Sequence, residues 1–200
     1  MKTVDACTAV ILAGGNSNRM GQDKAGLIFA GEPLLNRAIQ STQPLFEKLL
    51  ISVREPRKRL LFPQLCDSGE GGGPIMGIAT ALEQVDTPWV FAMACDMPFV
   101  SAEMIVALAS RRAAQEIVVP VVDGMLQPLA AFYSKACLPL MRRQIEAGDR
   151  SLKRLIEQAD ATRIDGEELR SFDPELLSFM DLDCMQDVQR AEALMQRRMS

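Results

Sequence analysis

Short apolar runs alternate along this chain with stretches in which apolar residues recur every three to four positions. That alternation predicts βαβ units around a mainly parallel sheet. Residues 9–12 (AVIL), 49–53 (LLISV) and 89–94 (WVFAMA) hold almost no polar side chain, as strands covered on both faces do. Between and after them, helices are predicted from Pro33 to residue 43, from Pro74 to about residue 85, and after Ser101, which stands at a cap position with Glu103 in the first turn. Further helices are expected over 138–147, 151–158 and from 186 onward, with a short strand near 179–182. Residues 117–122 and 129–133 flank Asp123-Gly124, a turn signal, and are expected to pair locally as a hairpin-like excursion from the parallel sheet. The expected architecture is therefore a three-layer α/β fold, a mostly parallel sheet with helices on both faces. At 200 residues with no linker or repeat, it should form one domain over 1–200.

Composition narrows the function. Hydrophobic residues are 48% and charged residues 24%, as in a soluble globular domain. A net charge of −4 without a long run of basic residues offers a phosphate backbone little attraction, so nucleic acid is not an expected partner. Five scattered cysteines without paired spacing fit a reduced cytoplasm, and neither a leader pattern nor a long apolar span suggests export or a membrane. The chain has no histidine, which excludes Ser-His-Asp and Cys-His nucleophile systems and His-based zinc sites. The remaining chemistry belongs to carboxylates, Lys, Arg, backbone dipoles or a metal held by oxygen.

Four segments carry such chemistry. In AVILAGGNSNRMGQDKAGL a buried strand breaks into Gly14, Gly15 and Gly21 and ends on Arg19 and Lys24. Glycines let backbone N–H groups approach phosphate and the two cations neutralise it, so the segment reads as a triphosphate cradle. It matches neither the P-loop nor the dinucleotide fingerprint. In VFAMACDMPFV, Asp96 directly follows an uncharged strand, at the carboxyl end where ligands gather in open α/β sheets. It is the first choice for a Mg2+ ligand, with turn chemistry before Pro98 as the competing reading. CDSGEGGGPIMGI supplies Asp67 and a glycine run ahead of a helix N-terminus, suited to close over a base or ribose or simply to punctuate the chain. In MDLDCMQDV, Asp181 and Asp183 are two apart and would share a face if strand-like, so that one could join Asp96 at the metal; helix capping is the competing reading.

At these segments the chain resembles the molybdenum cofactor guanylyltransferases. The shared pattern stands here as Leu12-Ala13-Gly14-Gly15, Arg19-Met20-Gly21, Asp23-Lys24, Gly73-Pro74-Ile75-Met76-Gly77, Cys95-Asp96-Met97-Pro98 and Gln127-Pro128-Leu129. The resemblance implies a Rossmann-like nucleotidyltransferase that joins GMP from GTP to molybdenum-bearing molybdopterin and releases pyrophosphate. It also implies transient contact with cofactor-delivery proteins or molybdoenzymes. It assigns GTP contacts to the Leu12-Ala13-Gly14-Gly15 backbone, Lys24, Ser52 and Asp67, catalytic roles to Arg19, Lys24 and Asp96, and Mg2+ to Asp96 with Asp183 beside it. Two departures stand out: Ser52 replaces a frequent Asn, and Asp181-Leu182-Asp183 replaces a frequent N-x-N-T-P-E run, closer to the D-x-D-T-P of related cytidylyltransferases. Gly14-Gly15 matches the guanine-using relatives, those using cytosine usually reading L-A-A-G, and the missing methyl at Gly14 is read as space beside a purine. Use of CTP, a sugar-phosphate acceptor, or nucleotide binding without turnover are the alternatives.

Overall fold

The computed structural model describes residues 4–14, 24–58, 60–66 and 72–199. In chain order it forms β1 (Cys7–Leu12), β2 (Ile28–Phe29), β3 (Glu32–Pro33), α1 (Leu34–Thr42), β4 (Lys48–Val53), β5 (Gln64–Cys66), α2 (Pro74–Gln84) and β6 (Trp89–Ala94). There follow α3 (Ala102–Ala109), β7 (Ile117–Val122), β8 (Met125–Leu126), β9 (Ala130–Ser134), α4 (Leu138–Glu146), α5 (Leu152–Gln158), β10 (Ala161–Asp165), α6 (Gly166–Leu169) and α7 (Met185–Met199). The sheet runs β10-β7-β9-β6-β1-β4-β5, with β8 paired to β7. β6, β1, β4 and β5 are parallel neighbours, as are β10 and β7.

Strand alternation divides the core between the two faces of the sheet. Ala9 and Ile11 of β1 and Phe91 and Met93 of β6 pack with Leu35 and Ile39 of α1 and Ile105 and Leu108 of α3. Val10, Val90 and Ala92 face the other way, toward Ile78 and Leu82 of α2, Met141 of α4 and Leu155 of α5. Helices thus cover both faces, and this is why the central strands read as continuous apolar runs. A smaller cluster of Phe29, Leu34, Leu182, Val188 and Ala191 fixes α7 and the β2-β3 hairpin together. The helix starts are built locally: the Ser101 hydroxyl accepts from the Met104 N–H at 3.1 Å, and the Ser151 hydroxyl from the Arg154 N–H at 3.2 Å.

Two expectations are corrected. β7 and β9 do pair antiparallel as expected, but not as an excursion: β9 lies inside the main sheet, between β7 and β6, with Val118 and Phe91 both registered against Phe132. The Asp123-Gly124 turn instead joins β7 to the two-residue β8, both residues at positive φ (50° and 74°) as a type I′ turn requires. The strand expected near 179–182 is absent; Leu177–Phe179 is a 3-10 turn, Met180 is extended, and 181–183 join no ladder. Apolar character at Phe179, Met180 and Leu182 reflects packing against neighbouring clusters rather than strand pairing. β5 and β10, which the periodicity did not reveal, are the edge strands and only partly buried. Among the described residues no helix is long and apolar enough to cross a membrane.

Candidate functional site

The parallel strands bring their C-terminal ends to one edge, where Leu12 registers with Ser52 on one side and Ala94 on the other. Chain leaving these three positions therefore emerges side by side. After Ala94 the chain continues to Asp96, after Leu12 to Ala13 and Gly14, and after Ser52 to Val53 and Arg54. The Cys95 N–H donates to the Leu12 carbonyl at 3.2 Å and the Ala94 N–H to the Leu129 carbonyl at 3.0 Å. Since β9 runs against β6, its entry segment Gln127-Pro128-Leu129 lies at this same edge, fixed by the Tyr133 hydroxyl donating to the Pro128 carbonyl at 2.7 Å. Burial pushes the Tyr133 phenol far up, with the nearby Cys137 adding to it, so this hydroxyl remains a donor at any ordinary pH.

Lys24 opens a 3-10 turn beside these ends. Its Nζ lies 2.8 Å from Asp96 Oδ2 and 2.6 Å from Asp183 Oδ1, with the Lys24 and Asp96 side chains only 20% and 14% exposed and Asp183 51% exposed. Partial burial works to lower the Lys24 pKa, but the hydrogen bonds and charges of Asp183 and Asp96 outweigh it and hold the ammonium above its ordinary value. The Leu182 N–H donates to the Asp96 carbonyl at 3.0 Å, which clips the 181–183 segment onto the end of β6. Leu182 is fully buried while Asp181 and Asp183 flank it on the exposed side. The period-two placement of the two acids is therefore real, although no ladder produces it. Asp183 is the member that shares Lys24 with Asp96. Asp181 has its carboxyl pKa raised, first by partial desolvation and then by the charges of Asp183 and Asp96. Asp187 accounts for capping here: its carboxylate accepts from the Cys184 N–H at 2.9 Å and the Asp183 N–H at 3.1 Å, which frees Asp183 from that role.

The Gly73-Pro74-Ile75-Met76-Gly77 stretch begins α2, with Pro74 in the first turn. Gly77 is where the helix meets the strand ends: a Cβ there would fall 2.6 Å from Ser52 Oγ and 2.8 Å from Leu12 Cδ2. Ser52 is 1% exposed. Its side chain lies against the start of α2, and its carbonyl accepts from the Ala13 N–H at 2.8 Å, tying the end of β4 to the residues that follow β1. Gly14 also differs from expectation. A Cβ added to it would meet the Arg54 amide nitrogen at 3.1 Å and Val53 C at 3.4 Å, so the missing methyl serves contact with the end of β4, not space for a base. Gly15, Arg19 and Asp67 lie outside the described residues.

Sequence reasoning missed Gly77 as a packing position, although the motif contained it. It also missed Arg57, whose Nη2 donates to the Ala13 carbonyl at 3.2 Å. The available signal was the basic run Arg54-Glu55-Pro56-Arg57-Lys58 directly after the second strand. All five cysteines are free thiols; burial raises those of Cys7 and Cys137 to about 12, which leaves them unreactive.

Comparison with known proteins points the same way. A family model described as MobA-like NTP transferase domain matches residues 9–163. A protein of Methanosarcina mazei named "Probable molybdenum cofactor guanylyltransferase" is 32% identical over 197 residues, covering 91% of this chain and 88% of its own. One of Desulfosudis oleivorans named "Molybdenum cofactor guanylyltransferase" is 28% identical, covering 95% and 96%. The crystal structure of molybdopterin-guanine dinucleotide biosynthesis protein A from Archaeoglobus fulgidus superposes with a TM-score of 0.85 at 26% identity, over 95% of this chain and 99% of that one. A 2-C-methyl-D-erythritol 4-phosphate cytidylyltransferase from Thermus thermophilus, 20% identical, shares the fold with a TM-score of 0.69 over 97% and 98%.

Proposed function

The chain belongs to the family of MobA-like NTP transferase domains, and from that membership we propose that it is a molybdenum cofactor guanylyltransferase. It transfers GMP from GTP to molybdopterin and releases pyrophosphate. The observation that carries this reading at the level of chemistry is the convergence of Lys24, Asp96 and Asp183 at the strand ends, one cation and two carboxylates in a protein without histidine.

Magnesium fits these residues. Two hard carboxylate oxygens already converge on one cationic nitrogen, which marks the point as one that prefers positive charge. Among the described residues no group of three or more acids or thiols is placed to hold a metal unaided, so two carboxylates would be completed by phosphate oxygens and water. Held by Asp96 and Asp183, the ion would supply charge neutralisation at the phosphates.

The chemistry needs no general base. A phosphate oxygen of the acceptor, already ionised near neutral pH, attacks the α-phosphorus of GTP; that P–O bond forms as the bond to the bridging oxygen breaks, and pyrophosphate leaves with the electron pair. The chain's own work is orientation and charge. Lys24, released from the carboxylates, can follow the phosphates, with Arg19 proposed as the second cation and Asp67 as a contact to the guanosine part. The Leu12-Ala13-Gly14-Gly15 backbone is proposed to border the nucleotide, and Gln127-Pro128-Leu129, fastened beside the end of β6, to face the acceptor. Mass spectrometry of products after mixing the protein with molybdopterin, Mg2+ and either GTP or CTP tests the reading. A guanine dinucleotide product is expected; a cytosine product would redirect the assignment to the cytidylyltransferases, and no product with either would remove it.

A further inference from the structure

Ala13 and Gly14, which follow β1, are held from one side by a single segment. The Ala13 N–H donates to the Ser52 carbonyl at 2.8 Å, and Gly14 rests against the Val53 and Arg54 backbone. The Ala13 carbonyl accepts from Arg57 at 3.2 Å, across 44 residues of sequence. Arg57 is itself fixed through its main chain. Its N–H donates to Gln64 Oε1 at 2.7 Å, and Gln64 Nε2 donates to its carbonyl at 3.0 Å. Gln64 is held in turn as the first residue of β5, registered with Ile51 of β4. Arg57 also lines a cleft of about 370 Å³ together with Ala25 and Gly26, directly after Lys24. It therefore stands against Ala13 at the end of β1 and beside the turn that carries Lys24.

We propose that Arg57 is a positioning residue for nucleoside triphosphate binding, acting through the Ala13–Gly14 peptide. In a planar trans peptide the C=O and the following N–H point in opposite directions. Holding the Ala13 oxygen toward Arg57 directs the Gly14 N–H away from it, and a charged donor on the carbonyl strengthens that N–H as a donor in its own right. With the Ala13 N–H engaged by the Ser52 carbonyl as an anchor and the Gly14 N–H direction set by Arg57, one amide is preorganised and the nucleotide is spared the cost of orienting it. Arg57 needs no contact with substrate for this, and Gln64 supports it by fixing the arginine's backbone. The inference rests on the nucleotidyltransferase reading above.

Calorimetric titration of GTP into the full chain, with thermal melts and steady-state kinetics, tests it in Arg57→Gln, Arg57→Lys and Gln64→Ala. Arg57→Gln should raise the GTP Kd and KM about tenfold, the scale of one charge-assisted hydrogen bond, while kcat moves less than about twofold and Tm stays within about 2 °C. Arg57→Lys should recover part of the loss, and Gln64→Ala should weaken GTP in the same direction by a smaller factor. Unchanged GTP affinity in Arg57→Gln overturns the inference. So does a loss confined to Arg57→Gln with normal binding in Gln64→Ala, which would make Arg57 a direct ligand. A fall in Tm with kcat and both KM values shifted together also overturns it. If the wild-type chain itself binds no GTP, the functional reading fails rather than this inference.

Discussion

Lys24 Nζ donates to Asp183 Oδ1 at 2.6 Å across 159 residues of chain, and the same nitrogen reaches Asp96 Oδ2 at 2.8 Å. One ammonium thus occupies the point between two carboxylates where a divalent cation is proposed to bind. If Asp96 and Asp183 hold the proposed metal, they would exchange the lysine for it, and Lys24 would be free to pair with phosphate. Because the Lys24 pKa is raised in the folded state, the pair's stabilisation is fully present below the ordinary value of 10.5 and is lost only as pH rises through the higher folded value. No neutral-pH change disturbs it.

Lys24→Met removes the competitor and the phosphate partner together. Mn2+ binding to the nucleotide-free protein should tighten, while GTP binding weakens by about tenfold or more and turnover falls. Titration with Mn2+ followed by electron paramagnetic resonance gives the first quantity. Weaker Mn2+ binding than wild type would reject the exchange.

Asp96→Asn keeps the shape at the end of β6 and loses the charge. Pyrophosphate release should drop by about 100-fold or more in a protein that melts like wild type. Turnover near the wild-type rate in that folded variant would remove Asp96 from the site.

The two acids around Leu182 should separate cleanly. Asp183→Ala is expected to raise the Mg2+ concentration needed for half-maximal rate with little change in Tm, its ion pair being half exposed. Asp181→Asn should instead stabilise the fold slightly. Its raised carboxyl pKa means that the ionised form is disfavoured on folding, so a penalty grows as pH rises from the ordinary value of 3.8 through the folded one. With the residue exposed, a gain within about 0.5 kcal/mol, about 1–2 °C in Tm, is expected at pH 7 and should vanish near pH 3.8. Melts at the two pH values check it, and a destabilised variant at pH 7 would contradict the sign.

Gly77→Ala places a methyl 2.6 Å from Ser52 Oγ and 2.8 Å from Leu12 Cδ2. The buried Ser52 and Leu12 side-chain ends must turn aside or α2 must shift, at a cost of about 1–3 kcal/mol, with GTP affinity falling as well. Adding Ser52→Ala should return part of both losses by clearing the closer atom. A double variant no better than the single would show that Leu12 alone sets the spacing.

GTP should be preferred to CTP by the wild-type chain. Gly14→Ala should nevertheless penalise both triphosphates to the same extent, since its methyl presses on the Arg54 and Val53 backbone and not into open space. Values of kcat/KM for the two nucleotides in both proteins decide this. A loss selective for GTP would restore the reading of Gly14 as a base contact.

Local chemistry was enough to read the central strands, most helix starts and the position of Asp96 directly after a buried strand. Apolar runs covered on both faces, Ser101 at a cap, and an acid directly after a buried strand are properties of neighbouring residues, visible without tertiary structure. Asp123-Gly124 was legible as a turn for the same reason, but not which strand it led to. The place of β9 within the sheet, the edge strands β5 and β10, and the choice of Asp183 over Asp181 depend on pairings across long stretches of chain, and nothing in the local pattern encodes them. Arg57 on Ala13, Gly14 on Arg54 and Gly77 on Ser52 belong to the same class. A glycine that makes room for its own backbone and one that makes room for a ligand look alike in sequence; only the direction in which the absent Cβ would point tells them apart, and that direction is set by the packed fold.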